Sequence, residues 1–253
     1  MNEYVKNLNR IEFMITLACT GKCRHCSEGE HISDGTHIDG DIAARAVCDL
    51  CGKFDVKSLM TFGGEPLLYP DAVFKIHSAA KDMNIPKRTV ITNGFFSKSE
   101  SVIKETALKL SQSGVNSVLL SVGAFHQETI PLEYVKIFAE AIKSAGIPIR
   151  VHPAWLVDKN DDNKYNKRTN EILDEFRITG ITVSDGNIIF PSGNAVKYLG
   201  EYFDPNINYV NPYEEDPQDV RSVCISPNGD VLSGNIYQKD ISAIIENYVP
   251  HCR

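Results

Sequence analysis

Strand-like and helix-like segments alternate along this chain from Ile11 to Phe190, and that alternation limits the possible fold more than any other feature. Residues 11–17 form a short apolar run, and residues 41–53 then carry Ile42, Ala46, Val47 and Leu50 at helical spacing. Further strands are expected at 58–62, 88–92 and 117–122, a fifth within 147–157 and a sixth over 181–190. Between them, helices are expected at 71–83 behind Pro70, 98–113 before Gly114, 131–145 before Gly146 and 164–177 near Gly180. Proline at a helix start and glycine just past its end punctuate such segments. Strand-then-helix repetition at this pitch builds a parallel sheet from βαβ units. Six units fit either an incomplete barrel or an open doubly wound sheet.

After residue 190 the pattern changes. Prolines, asparagines and acids dominate, and residues 201–220 hold Glu201, Asp204, Glu214, Glu215, Asp216 and Asp219 without a base. A solvated acidic loop is expected there. Two apolar runs around Asn228-Gly229, spanning 223–232, give a hairpin signal. A last amphipathic helix is expected at 240–248. The chain therefore reads as one large α/β domain over 1–190 and a small C-terminal appendage over 191–253.

Composition bounds the partners. With 253 residues, 42% hydrophobic and 23% charged, the chain has an ordinary globular balance, which excludes a disordered or collagen-like chain. The net charge of −7 disfavours a nucleic-acid partner. No apolar run is long enough to cross a bilayer, and the N-terminus has no secretory signal, so a cytoplasmic protein is expected. Seven cysteines is an odd number, and in a reducing compartment it points to metal or redox chemistry.

The sharpest chemical feature follows the first strand: Cys19-Thr20-Gly21-Lys22-Cys23-Arg24-His25-Cys26. These three cysteines lie on the C-terminal, catalytic side of a parallel sheet. Closely spaced thiolates converge on a soft metal centre, either zinc or an iron–sulfur cluster. A zinc-bound structural or interaction module needs a fourth ligand, for which His25 and His31 are close in sequence. An iron–sulfur cube held by three thiolates keeps one iron open to a ligand. Cys48 and Cys51 stand three apart on the first helix and are expected to pack. Cys224 is expected as a small buried residue at the hairpin, and Cys252 as a near-terminal thiol without a role. These four do not complete a second cube, so a single cluster is expected.

The C-x3-C-x2-C spacing resembles the signature of the radical S-adenosylmethionine (radical SAM) superfamily. Three further matches follow in chain order, each at a strand end: Gly63-Gly64-Glu65-Pro66, Thr92-Asn93-Gly94, and Ser121. The resemblance covers roughly residues 11–190 and implies a partial (β/α)6 TIM-like barrel. It implies that the Gly-Gly-Glu-Pro turn holds the methionine amino group, with Glu65 as acceptor, and that Thr92, Asn93 and Ser121 line the cofactor site. Glycines at a strand end let a ligand approach closely, and a carboxylate accepts well from an ammonium. His25 stands where the family usually has an aromatic residue near the adenine. Gly123 stands where a related segment often carries Asp. His126 and Glu128 follow that strand and are candidates for a catalytic or substrate-contact role, against the plainer reading of His126 as a loop histidine. The same plain reading applies to His152 on the fifth strand.

The resemblance further implies a [4Fe–4S] cluster, an electron donor such as flavodoxin or ferredoxin, reductive cleavage of S-adenosylmethionine, and abstraction of a substrate hydrogen. Pro191-Ser192-Gly193-Asn194-Ala195 and the segment from Cys224 to Val231 resemble the start of a SPASM or twitch extension. That implies peptide or protein modification. A glycyl-radical activase or a small-molecule enzyme are the alternatives within the family.

Overall fold

Apolar residues alternate along the first strand, so that Ile11 and Phe13 are buried while Glu12 and Met14 are half-buried. The structure, a computed structural model, describes residues 2–31, 34–209 and 211–250. The first half of the chain forms β1 (Arg10–Met14), α1 (Gly40–Cys51), β2 (Ser58–Phe62), α2 (Pro70–Asp82), β3 (Lys87–Thr92), α3 (Glu100–Gln112), β4 (Ser117–Ser121) and α4 (Ala124–Gln127). Next come α5 (Leu132–Ser144), β5 (Ile149–His152), β6 (Ala154–Trp155), α6 (Lys164–Ile178), β7 (Thr182–Val183) and β8 (Asn187–Ile188). The tail adds α7 (Gly193–Leu199), β9 (Ser222–Ile225), β10 (Asp230–Val231), β11 (Gly234–Asn235) and α8 (Ile241–Glu246).

Seven strands form one sheet in the order β7-β5-β4-β3-β2-β1-β9, and every neighbouring pair is parallel. Ile11 and Phe13 of β1 share one core with Ala43, Ala46, Val47 and Leu50 of α1. The opposite face of β1, with Arg10, Glu12 and Met14, lines the inside of the curve. The sheet ends at β7 and β9, which are not paired with each other, so this is a partial barrel rather than a closed one. Because all seven strands run the same way, their C-terminal ends open on one mouth.

The expected sixth strand breaks in two. β7 pairs with β5, whereas β8 pairs with β6 in a separate two-stranded ribbon. Pro153, between β5 and β6, brings no N–H to a ladder. Opposite it Gly186 sits at φ +78°, where a Cβ would lie 2.3 Å from the Pro153 carbonyl oxygen.

The tail differs more. β9 pairs along its length with β1, Glu12 opposite Cys224, and beyond it the chain turns back around Asn228-Gly229 as expected, with Ser226 N–H donating to the Asp230 carbonyl at 2.9 Å. A turn at Ser226–Gly229 follows (Gly229 N to Ser226 O, 2.9 Å), and β10 pairs antiparallel with β11. On α8, Ile241, Ile244 and Ile245 are buried in the main core. The change of composition at residue 190 therefore does not detach the tail from the sheet. Of the cysteines expected to pack, Cys51 is half-buried against the main core while Cys48 is exposed, and Cys224 is an exposed strand residue rather than a buried hairpin one. Cys252 lies outside the described residues. No helix among the described residues is long and apolar enough to cross a membrane.

Candidate functional site

The loop after β1 brings Cys19, Cys23 and Cys26 to the mouth of the barrel, with no disulfide among them. Burial pushes the Cys19 thiol up to about 11 and raises Cys23 and Cys26 as well. Neighbouring thiols add to the shift at Cys19 and Cys23. Gly21 N–H and the Asn93 amide donate to Cys19 Sγ at 3.4 and 3.5 Å. His31 Nε2 stands 3.3 Å from Cys26 Sγ. Among the described residues, no three His, Cys, Asp or Glu side chains close on a single-ion site. Of the two candidate fourth ligands for zinc, His25 is placed against rings rather than beside the thiols, while His31 stands beside Cys26.

The Gly-Gly-Glu-Pro turn is built onto the root of this loop. Gly64 N–H donates to the Thr16 carbonyl and Glu65 N–H to the Ala18 carbonyl, both at 2.8 Å. A Cβ on Gly63, which sits at φ +135°, would lie 2.4 Å from the Thr16 carbonyl oxygen, and one on Gly64 2.2 Å from that of Ala18. Only glycine allows two backbones this close. Pro66, buried, opens a 3-10 turn over Pro66–Leu68.

Glu65 is 0% exposed. Its carboxylate accepts from Leu67 N–H (2.9 Å), from the Thr92 hydroxyl (2.7 and 2.9 Å) and from Asn93 N–H (2.8 Å). Burial pushes its pKa up to about 7, opposed by these donors. Both oxygens are therefore occupied by the protein's own backbone and Thr92. These bonds clamp the ends of β2 and β3 together. The same clamp orients Asn93, whose side chain reaches Cys19 and Thr20.

On the other side of the mouth, the His25 ring lies 5.2 Å from Phe125 and 4.7 Å from His126. His25 Nδ1 is buried without a hydrogen-bond partner. Burial, then His152, lowers His126 to about 4, and burial also lowers His152, so both rings are neutral at pH 7. His152 stands opposite Ser121 across the β4–β5 ladder and bonds Ser184 Oγ at 2.8 Å. Beside this group, Glu128 is taken up by an ion pair. It pairs with Arg24, whose guanidinium also donates to Tyr165 OH (3.1 Å) and lies over the Tyr165 ring. Gly123 sits at φ +155°, and a Cβ there would come 3.3 Å from Thr169 Oγ1, so the local backbone is built around a glycine.

Sequence reading missed Arg24, Tyr165 and Phe125 as a group, because nothing local ties them together. It singled out Gly193-Asn194 for a resemblance but not for its place: the segment lies against the cysteine loop, with Asn194 N–H 2.9 Å from the Cys26 carbonyl oxygen.

The model of the radical SAM superfamily matches residues 13–191. Among curated proteins, a probable GTP 3',8-cyclase of Methanocaldococcus jannaschii is 27% identical over 127 residues, covering 50% of this chain and 40% of that protein. The corresponding protein of Methanocella arvoryzae is 24% identical over 174 residues, covering 64% and 52%. The matched stretch thus spans only about half, or less, of those relatives' lengths. Among solved structures, Streptococcus suis SuiB bound to the precursor peptide SuiA superposes with a TM-score of 0.59 at 14% identity, covering 95% of this chain and 65% of that one. The enzyme anSMEcpe with bound AdoMet gives 0.59 at 14%, covering 95% and 78%. At such identities the likeness is one of fold.

Proposed function

Because this chain belongs to the radical SAM superfamily, whose enzymes use an iron–sulfur cluster and S-adenosylmethionine, we propose that Cys19, Cys23 and Cys26 hold one [4Fe–4S] cluster for radical chemistry on a peptide or protein. The observation that carries this reading is the gathering of three unbridged thiols, Cys23 buried and Cys19 and Cys26 half-buried, at the C-terminal mouth of a parallel barrel. Burial, with the neighbouring thiols at Cys19 and Cys23, raises these thiols above their ordinary pKa and favours the protonated form. Metal ligation requires thiolates and supplies the positive charge that stabilises them.

When reduced by a flavodoxin- or ferredoxin-like donor, the cluster supplies the electron that cleaves S-adenosylmethionine before a substrate hydrogen is taken. The chain's residues bind and position. Gly63, Gly64 and Pro66 shape the turn that receives the methionine end, and Glu65 holds that turn to Thr92 and Asn93 from beneath. His25 and Phe125 offer a ring surface for the adenine, and Ser121 stands at the strand end where a ribose would lie. His126, neutral, can donate or accept one hydrogen bond to substrate without carrying charge. Glu128 fixes Arg24 and with it the cysteine loop.

The curated relatives are named for GTP, and SuiB is bound to a peptide. A triphosphate needs several unpaired cations. In this chain Arg10, on the inner face of β1, is paired with Glu12, and Arg24 with Glu128. Arg150, exposed on β5 beside His152, lies outside these pairs, so the peptide reading rests on the peptide bound to SuiB and on the resemblance of the tail. The test is 5′-deoxyadenosine release under anaerobic reduction, with short peptides encoded beside the gene or with GTP added. Release stimulated by a peptide is expected. Stimulation by GTP alone would overturn the substrate, and no release under any condition would overturn the chemistry.

A further inference from the structure

We propose that the segment 191–199 is a clamp on the cysteine loop and that Asn194 is its central positioning residue, setting how tightly the loop holds its cluster and at what potential. The inference rests on the reading that Cys19, Cys23 and Cys26 hold that cluster.

Asn194 is 7% exposed and binds two of the three cysteines through their peptide groups. Its backbone N–H donates to the Cys26 carbonyl at 2.9 Å, and its side-chain amide donates to the Cys23 carbonyl at 3.1 Å. Beside it, Ser192 Oγ donates to the Ser27 carbonyl at 3.1 Å. Gly193 sits at φ +50°, and a Cβ there would lie 2.4 Å from the Ser27 carbonyl oxygen and 2.6 Å from that of Cys26. The tail backbone thus lies directly on the loop backbone. Further along α7, Lys197 forms an ion pair with Glu30. The clamp has a firm base: Ala195 and Leu199 are fully buried with Phe125, Leu156 and Ile189.

These contacts go to the loop's peptide groups, and peptide orientation is what a sulfur ligand feels. Within the loop, Gly21 N–H donates to Cys19 Sγ at 3.4 Å, and Gly29 N–H shares the Cys26 carbonyl, at 3.3 Å, with the Asn194 N–H that holds it. Hydrogen bonds to cluster sulfurs stabilise the reduced, more negative cluster and raise its potential. A loop released from Asn194 loses the fixed aim of those N–H groups. The cluster should then become harder to reduce and easier to lose.

The experiment uses anaerobically reconstituted protein. Asn194→Ala removes the side-chain donor; Asn194→Leu removes it at nearly constant size, and neither adds charge near the cluster. The midpoint potential is read by EPR-monitored titration, and iron loss by the rate of transfer to a chelator. Both variants should show a more negative midpoint and lose iron about tenfold faster, the scale of a lost outer-shell partner. Val196→Ala, at a residue 56% exposed on the same helix, should match wild type. A purely structural Asn194 would lower folding stability while leaving the midpoint in place. Wild-type midpoint and iron-loss rate in the Asn194 variants would overturn the proposal, and if Asn194→Ala does not fold, Asn194→Leu decides. A wild-type chain that takes up no iron would instead overturn the underlying cluster reading, so the two failures are distinct.

Discussion

Glu65 sits without solvent exposure between two strand ends and accepts from Leu67, Thr92 and Asn93. Glu65→Gln places an amide NH2 among those donors. The chain should lose about 1–3 kcal/mol of folding stability by denaturant titration with no cofactor added, the cost of an unsatisfied buried group. A role confined to cofactor contact would leave that stability unchanged. His77 offers a second test. It is fully buried on α2 and bonds Thr61 Oγ1 at 3.0 Å, and burial followed by Arg88 lowers its pKa to about 3. A folded pKa below the unfolded value of 6.5 means the unfolded chain takes the proton more readily. Its stabilising contribution is therefore complete above about pH 6.5 and falls toward pH 3 by about 1.4 kcal/mol per pH unit. Unfolding midpoints at pH 7 and 4.5 should drop less in His77→Gln than in wild type. An equal drop would assign acid sensitivity elsewhere. At this scale the three cysteines were legible because their signal is local. Asn194 and Cys23 are 171 residues apart, and Arg24 and Glu128 are 104 apart, so only folding brings them together.

The turn after β2 and the loop after β1 behave as one unit, since their backbones touch at Gly64 and Ala18. Gly64→Ala should push that unit apart. We expect a loss of about 1–3 kcal/mol, the scale of overpacking, together with reduced iron uptake. Gly52→Ala is the control: its Cβ would meet nothing closer than 3.5 Å, and both readouts should stay near wild type. A Gly64→Ala chain with normal iron content would separate the turn from the loop. Most elements were legible because apolar periodicity over ten or more residues survives any packing detail. The exceptions are short. α4 has four residues, less than one repeat of the pattern, and β7 and β8 have two each. The break between them depends on Pro153 meeting Gly186 across the sheet, a contact between segments that sequence windows treat separately.

Taken whole, the molecule includes its tail in the sheet and core. β9 pairs with β1, and the Asn2 side chain donates to carbonyls of Ile245 and Tyr248 near the other end of the described chain. Ile225 on β9 is fully buried, so Ile225→Ala should cost about 2–5 kcal/mol, as for a core strand. A cost below about 1 kcal/mol would mark β9 as detachable. Composition set this tail apart because its loop is acidic and proline-rich, while the four residues that join the sheet are too few to announce their partner. The barrel's parallel order was legible from the βα alternation; the seventh strand was not. The central claim concerns the three thiols that this architecture gathers. Its most direct test is iron and sulfide content with visible absorbance after anaerobic reconstitution, for wild type and for Cys19→Ala, Cys23→Ala, Cys26→Ala and Cys224→Ala. Wild type and Cys224→Ala should each hold about four irons and absorb near about 400 nm, and the other three should lose the intact cluster. A colourless chain that binds zinc instead, or full iron content in any of the three loop variants, would contradict the account.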